Sequence, residues 1–303
     1  MGYYSTRRDF LTRSIALAGI ALVGAEWQFK KEKLKLSFST LGCPDWTLEK
    51  IVSFAVENNY SGIEIRGIQR QMDLTKCKEF SPENIAFTRR LLEDKGLSFV
   101  NLGSSAEMHH SEAAERQKNL DEVKRFIDLA QNLNCPYIRV FPNKLPKDDR
   151  SATIELIAKG LIEAGDQAKG SKVVVLMETH GDVVETAVIK QIMDAVNHPH
   201  VGLVWDVANM WTITKEPPAH AYSQLRDYIH HTHIKDALLV DGKPQYKLLG
   251  KGEVPIFEAI DILHKGNYKG YYSFEWEKMW HPEIAEPEIA IADYAKTMKQ
   301  HFS

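Results

Sequence analysis

Four residues are placed where they could act together. Glu178 follows the apolar run 173–177, Asp206 follows 201–205, His233 lies near the end of 229–234, and Glu275 follows 271–274. Carboxylates at the ends of apolar segments repel one another and are costly to desolvate unless a cation compensates them. An imidazole beside them makes one divalent metal ion the economical explanation, because mixed oxygen and nitrogen donors suit such ions. Each residue alone reads as a capped carboxylate or a satisfied histidine. Jointly, Glu178, Asp206, His233 and Glu275 predict a metal site.

Such a site needs elements that bring four distant strand ends together. Short β-branched runs at 34–39, 62–65, 98–102, 137–141, 173–177, 201–205, 229–234 and 271–274 predict eight strands. Between them lie stretches with apolar residues three and four apart, such as Leu48, Ile51, Val52 and Ala55, or Val123, Phe126, Ile127 and Ala130. That spacing is helical. Strict alternation of strand and helix implies parallel pairing through right-handed crossovers, which closes as a single-domain (β/α)8 TIM barrel over residues 33–303. In that fold the strand C-termini share one face, where binding and catalytic groups collect. An open doubly wound sheet is disfavoured, because Thr40-Leu41-Gly42-Cys43-Pro44 stands after the first strand instead of a glycine-rich dinucleotide loop. Thr47 and the Ser81-Pro82-Glu83 run read as helix starts, and Lys95-Gly96 as a helix stop.

The chain has 303 residues, 44% hydrophobic and 26% charged, with a formal net charge of -3. This is the composition of one globular domain, and it supplies no general attraction for nucleic acid. Residues 1–25 read as a twin-arginine-type signal peptide: Arg7-Arg8 precede an apolar run at 15–23 and the small-residue pattern Val23-Gly24-Ala25. The apolar run is too short to span a membrane, so the expectation is an exported, periplasmic protein with no membrane span in its mature form. Cys43, Cys77 and Cys135 show no metal-ligand spacing and allow at most one disulfide. A homo-oligomer is allowed.

Further residues are candidates for contact with a substrate. Lys235 could neutralise a developing oxyanion or pair with Asp236, and His180 could touch substrate or orient a ligand. Glu64 and Arg139 lie in strands, where they could meet a polar substrate or bridge each other. His109 and His110 follow the third strand in a loop, where one could reach the site or both could stay at the surface, and Trp46 could stack on a ring of the substrate or simply pack. The Leu249-Gly250-Lys251-Gly252-Glu253 segment reads as a turn rather than a phosphate loop.

Six motifs in order carry a resemblance: G-C-P-D-W at 42–46, G-I-E-I at 62–65, E-T-H-G at 178–181, W-D-V-A-N at 205–209, H-I-K-D at 233–236 and F-E-W-E at 274–277. Over nearly the whole mature chain the sequence resembles the xylose isomerase-like barrel superfamily. That group includes ketose 3-epimerases, inosose dehydratases, keto-glycoside-processing enzymes and apurinic endonucleases. The resemblance implies that Glu178, Asp206, His233 and Glu275 hold one Mn, Co, Mg or Zn ion, with Glu178 and Glu275 as the acid and base pair. Asn209, within the W-D-V-A-N motif, joins the substrate-contact set.

The chemistry so implied is removal of a proton α to the carbonyl of a keto-sugar, through an enediolate. Return of the proton gives an epimerase or isomerase. Loss of a β leaving group gives a lyase, and with export this points to a 3-keto-glycoside lyase in carbohydrate breakdown. The alternatives are an apurinic-endonuclease-like nuclease and a non-catalytic sugar-binding barrel. The nuclease is disfavoured because Asn209 stands where that group has a histidine and no Asp-x-His pair follows H-I-K-D.

Overall fold

A computed structural model describes residues 34–303. The predicted leader lies outside the described residues. Eight parallel strands close into a barrel: β1 (Leu36–Ser39), β2 (Gly62–Ile65), β3 (Ser98–Glu107), β4 (Tyr137–Phe141), β5 (Val174–Glu178), β6 (Val201–Asp206), β7 (Ile229–Ile234) and β10 (Tyr272–Phe274). Around the barrel they run β1, β10, β7, β6, β5, β4, β3, β2 and back to β1. The strands that carry the four candidate ligands, β5, β6, β7 and β10, are therefore consecutive neighbours.

The helices are α1 (Leu48–Glu57), α2 (Ile85–Glu93), α3 (Ala113–Asn132), α4 (Arg150–Ala168), α5 (Thr186–Val196), α6 (Val207–Thr214), α7 (Pro218–Leu225), α8 (Ile256–Lys265) and α9 (Pro287–His301). The apolar spacing is what docks them. On α1, Leu48, Ile51, Val52 and Ala55 are buried, and on α3 Val123, Phe126, Ile127 and Ala130 are buried. Each large side chain so removed from water contributes about 1.5–3 kcal/mol. Thr47 accepts a hydrogen bond from the Lys50 amide and caps α1 as expected. Helix α2 begins at Ile85, later than the start that Ser81-Pro82-Glu83 suggests. Ser81 and Pro82 instead lead into a turn in which the Ser81 carbonyl accepts from the Asn84 and Ile85 amides.

Two features depart from the simple alternation. An antiparallel hairpin, β8 (Asp236–Val240) and β9 (Lys243–Lys247), is inserted after β7. Its turn is Asp241-Gly242, both at positive φ (52° and 73°), the backbone that a two-residue hairpin requires and that Asp and Gly tolerate best. Strand β3 also runs five residues beyond the expected Leu102, through a register irregularity after Gly103, and ends at Glu107 opposite Phe141. All three cysteines are buried free thiols. Among the described residues no helix is long and apolar enough to cross a membrane.

Candidate metal centre

The barrel delivers the four predicted ligands to one place. Glu178 and Asp206 are the last residues of β5 and β6, His233 is the penultimate residue of β7, and Glu275 directly follows β10. All four are buried, with exposures of 1%, 0%, 0% and 3%. One donor atom from each lies within 4.8 Å of the others. His233 Nδ1 stands at the middle, 3.4 Å from Glu178 Oε1, 3.2 Å from Glu275 Oε1 and 3.9 Å from Asp206 Oδ2.

Local sequence fixes these positions. Thr179 accepts from the Asp206 amide and donates to its carbonyl, stitching the end of β5 to the end of β6. Asp206 Oδ1 caps α6 by accepting from the Asn209 amide at 2.8 Å, so only Oδ2 is left to face the centre. Asn209 also reaches Glu178 Oε1 through Nδ2, at 3.5 Å.

Cations tether the outer carboxylate oxygens. Arg139, itself buried against the face of Phe141, sits 3.0 Å from Glu178 Oε2. Lys235 Nζ lies 2.7 Å from Asp206 Oδ2, 2.6 Å from Glu275 Oε2 and 2.7 Å from Glu277 Oε1. The proton affinities follow. Burial and Glu275 push the Glu178 carboxyl up, but His233 and Arg139 outweigh them and hold it below its usual range. Glu275 is raised by burial yet held well below its usual value by His233 and Lys235. Burial dominates at Asp206, which is pushed up to about 7 against the pull of Lys235. His233 is lowered by burial, but Glu275, Glu64 and Glu178 hold it well above its usual value.

The donor set fits a divalent ion on two further observations. His233 Nδ1, the atom that faces the ligand oxygens, is buried without an aligned hydrogen bond, and Asp206 Oδ2 has only its ion pair with Lys235; buried polar atoms left so are rare. Around the centre five buried carboxylates, Glu64, Glu178, Asp206, Glu275 and Glu277, face three buried cations, Arg66, Arg139 and Lys235. The carboxylates thus outnumber the fixed cations, and a metal ion would take the place of the proton that they hold on His233.

Glu64 is not free to meet a substrate. It is fully buried, and its carboxylate takes His231 Nε2 at 2.8 Å, His233 Nε2 at 3.1 Å and the Asn101 amide at 3.3 Å. It does not bridge to Arg139 either. Its place is behind His233, where it fixes the ring so that Nδ1 faces the ligand oxygens, as carboxylates behind metal-bound histidines do. The His231-Thr232-His233 spacing could have revealed this, because alternate residues of a strand share a face. Lys235 and Asp236 likewise do not pair. Asp236 turns away, and its oxygens accept from the amides of Ala237, Gly250, Gly252 and Val254. The glycine segment is thus a turn whose amides are already occupied.

His180 reaches the edge of the centre, half-buried, with its ring against Phe141. Its Nδ1 meets Asn143 Oδ1 at 2.8 Å, while Asn143 Nδ2 donates to Glu107 at 2.6 Å. A carboxylate can only accept, so the amide is oriented with its oxygen toward His180. Neutral His180 therefore carries its proton on Nδ1 and offers Nε2 as a base. His109 is not brought to the centre and joins Glu107 and His110 instead. Nor is Trp46, which packs on Phe54 beneath the ammonium of Lys50. Glu277, Arg66, Glu107 and Asn143 were not singled out in the sequence.

Comparison with known proteins agrees with this architecture. The family model described as xylose isomerase-like TIM barrel matches residues 52–300. A 3-dehydroshikimate dehydratase of Bacillus anthracis is 25% identical over 261 residues, covering 80% of this chain and 89% of that protein. The IolI protein with a bound zinc atom superposes with a TM-score of 0.74 at 18% identity, covering 88% of this chain and 98% of that one. A 3-keto-D-glucoside 4-epimerase from E. coli does so with a TM-score of 0.67 at 16% identity, over 89% and 97%. With a family match across most of its length and a closed eight-stranded barrel beneath it, this chain belongs to the xylose isomerase-like TIM barrel family.

Proposed function

We propose that this protein is a metal-dependent enzyme that enolises a keto-sugar, acting outside the cytoplasm as a 3-keto-glycoside lyase or a closely related epimerase. The observation that carries the reading is the pair Glu178 and Glu275. Each turns one oxygen toward His233 Nδ1 at 3.2–3.4 Å and has the other tethered by Arg139 or Lys235. Their strands are separated by two others, so the two carboxylates approach the centre from different sides.

Glu178, Asp206, His233 and Glu275 would hold a divalent ion, which would supply Lewis acidity for enolisation. The chain's own residues do the rest. One glutamate accepts the proton from the carbon beside the carbonyl, and the C–H electron pair moves into the enediolate. Lys235, within 2.7 Å of three carboxylates, keeps positive charge beside the site where negative charge develops. The second glutamate, after taking up a proton from solvent, delivers it to the opposite face and inverts the carbon, and the first returns its proton to solvent. If an oxygen substituent stands β to the carbonyl, the enediolate electrons expel it, forming a carbon–carbon double bond, and the departing oxygen takes up a proton. His180 Nε2 is a further acceptor at the rim.

Support comes from two directions. Dehydration and epimerisation beside a ketone, the reactions in the names of two similar proteins, can share a first step, loss of the α proton. The arginine pair and apolar run of the leader support action on extracytoplasmic glycosides. The test is metal-loaded protein in deuterated buffer with 3-keto-glucosides of differing linkage. Deuterium at the α carbon or release of the aglycone is expected, and absence of both from every 3-keto-glucoside and ketose sinks the reading. Full turnover by both Glu178→Gln and Glu275→Gln would sink the assignment of the proton carriers.

A further inference from the structure

The strand end at Glu107 carries a second constellation that the proposed chemistry does not use. Glu107 Oε2 lies 3.2 Å from His110 Nε2 and 3.6 Å from His109 Nδ1, and the two imidazoles stand 4.2 Å apart, tilted by 32°. Neither contact is an aligned hydrogen bond, and His109 Nδ1 is buried with no hydrogen-bond partner. Three donor atoms that face one another within 4.8 Å, none aligned for a hydrogen bond, are spaced as ligands of one ion are. Zinc bonds of about 2.0–2.2 Å in a tetrahedron place neighbouring ligand atoms about 3.3 Å apart.

The carboxylate is held for this task. Asn143 Nδ2 occupies Glu107 Oε1 at 2.6 Å and leaves Oε2 to the histidines, while Asn119 Oδ1 fixes the Glu107 amide at 2.7 Å. The three side chains are 14–33% exposed, so an ion can enter and water can complete its coordination. No lysine or arginine pairs with Glu107 among the described residues.

We propose that Glu107, His109 and His110 bind a second divalent ion, zinc by the chemistry of two imidazoles and one carboxylate. The ion closes the segment after β3 onto the strand end at Glu107, and the Asn143–Glu107 hydrogen bond links that strand end to the residues after β4. Because Asn143 contacts both Glu107 and His180, it also braces the residue at the rim of the first centre.

The test uses the full chain stripped with a chelator, reloaded with zinc, dialysed against micromolar zinc and analysed for metal per chain. Cobalt substitution, with its visible absorption, gives a second readout. Two ions are expected in the wild type and one in His110→Ala, in His109→Ala and in Asp206→Asn. A wild type with one ion that His110→Ala retains overturns the proposal, as does uptake only at zinc concentrations on the order of millimolar. One ion that His110→Ala loses but Asp206→Asn keeps upholds this site and removes the first. Loading of the second site should also slow amide exchange over 108–112 by at least tenfold. Unchanged exchange on loading overturns the bracing role.

Discussion

Two buried aspartates at the mouth of the barrel, Asp206 and Asp236, look alike in sequence and differ in what surrounds them. Each ends or follows an apolar strand, with exposures of 0% and 1%. Asp236 is saturated, its two oxygens taking four backbone amides at 2.9–3.3 Å. Asp206 spends one oxygen on the cap of α6 and leaves the other beside Lys235 without an aligned hydrogen bond. A carboxylate completed by backbone holds a loop together. One left incomplete beside other carboxylates is open to a cation. Burial of an acidic residue therefore identifies neither role, and the state of its second oxygen separates them.

The sharpest test of that contrast is Asp206→Asn. Asparagine caps a helix as well as aspartate does, so α6 should persist. Turnover should fall about a thousandfold or more, because loss of the ion removes several kcal/mol of charge stabilisation. Metal analysis and initial rates check it, and full activity in the variant would erase the distinction. Asp236→Ala should do the reverse. Four amides lose their acceptor, and stability to urea should drop by about 3 kcal/mol while metal content is retained. An unshifted midpoint would mean that the turn at 248–254 does not need its anchor.

Glu64→Gln probes the layer behind the ligands. Glutamine lacks the negative charge and sets an N–H against the N–H of His233, which now meets both carboxylate oxygens, and zinc affinity should weaken by about ten- to a hundredfold with the fold intact. Competition with a chromogenic chelator measures this, and an unchanged affinity would leave Glu64 a structural residue only.

The smallest effect is on pH. In the metal-free chain burial raises Asp206 from 3.8 to about 7. The folded state thus favours the protonated carboxyl. Its contribution is fully present below about pH 4 and is lost as pH rises through about 7. The melting temperature of Asp206→Asn relative to wild type, both without metal, should therefore rise between pH 4 and 7. A difference that stays flat or falls would show that Lys235 already compensates the charge.

The same contrast explains what could be read early. Glu178, Asp206, His233 and Glu275 were legible because each sits at the end of a strand, and a strand end is a local pattern of apolar residues followed by a polar one. The roles of Glu64 and Trp46 were not. Glu64 reaches His233 across 169 residues and from a strand that is not its neighbour in the barrel, and no local periodicity encodes that pairing. Trp46 is settled by Phe54 and Lys50, close in sequence, but its choice between packing and stacking depended on which way the loop turned. The hairpin β8–β9 is not marked by alternation although Asp241-Gly242 signals its turn, because β9 is polar and mostly exposed and β8 is a short apolar run continuing from β7.

The sequence by itself determined the alternation of strands and helices, and with it the barrel and the identity of the four residues at consecutive strand ends. Backbone periodicity and right-handed crossover leave little freedom there. Tertiary structure alone decided which carboxylates are completed and which are left open: Glu64 behind His233, Lys235 among Asp206, Glu275 and Glu277, and Glu107 between two imidazoles. Those outcomes depend on side chains meeting across the closed barrel and its loops, where distances of a few ångströms separate a hydrogen bond from a space that an ion can fill.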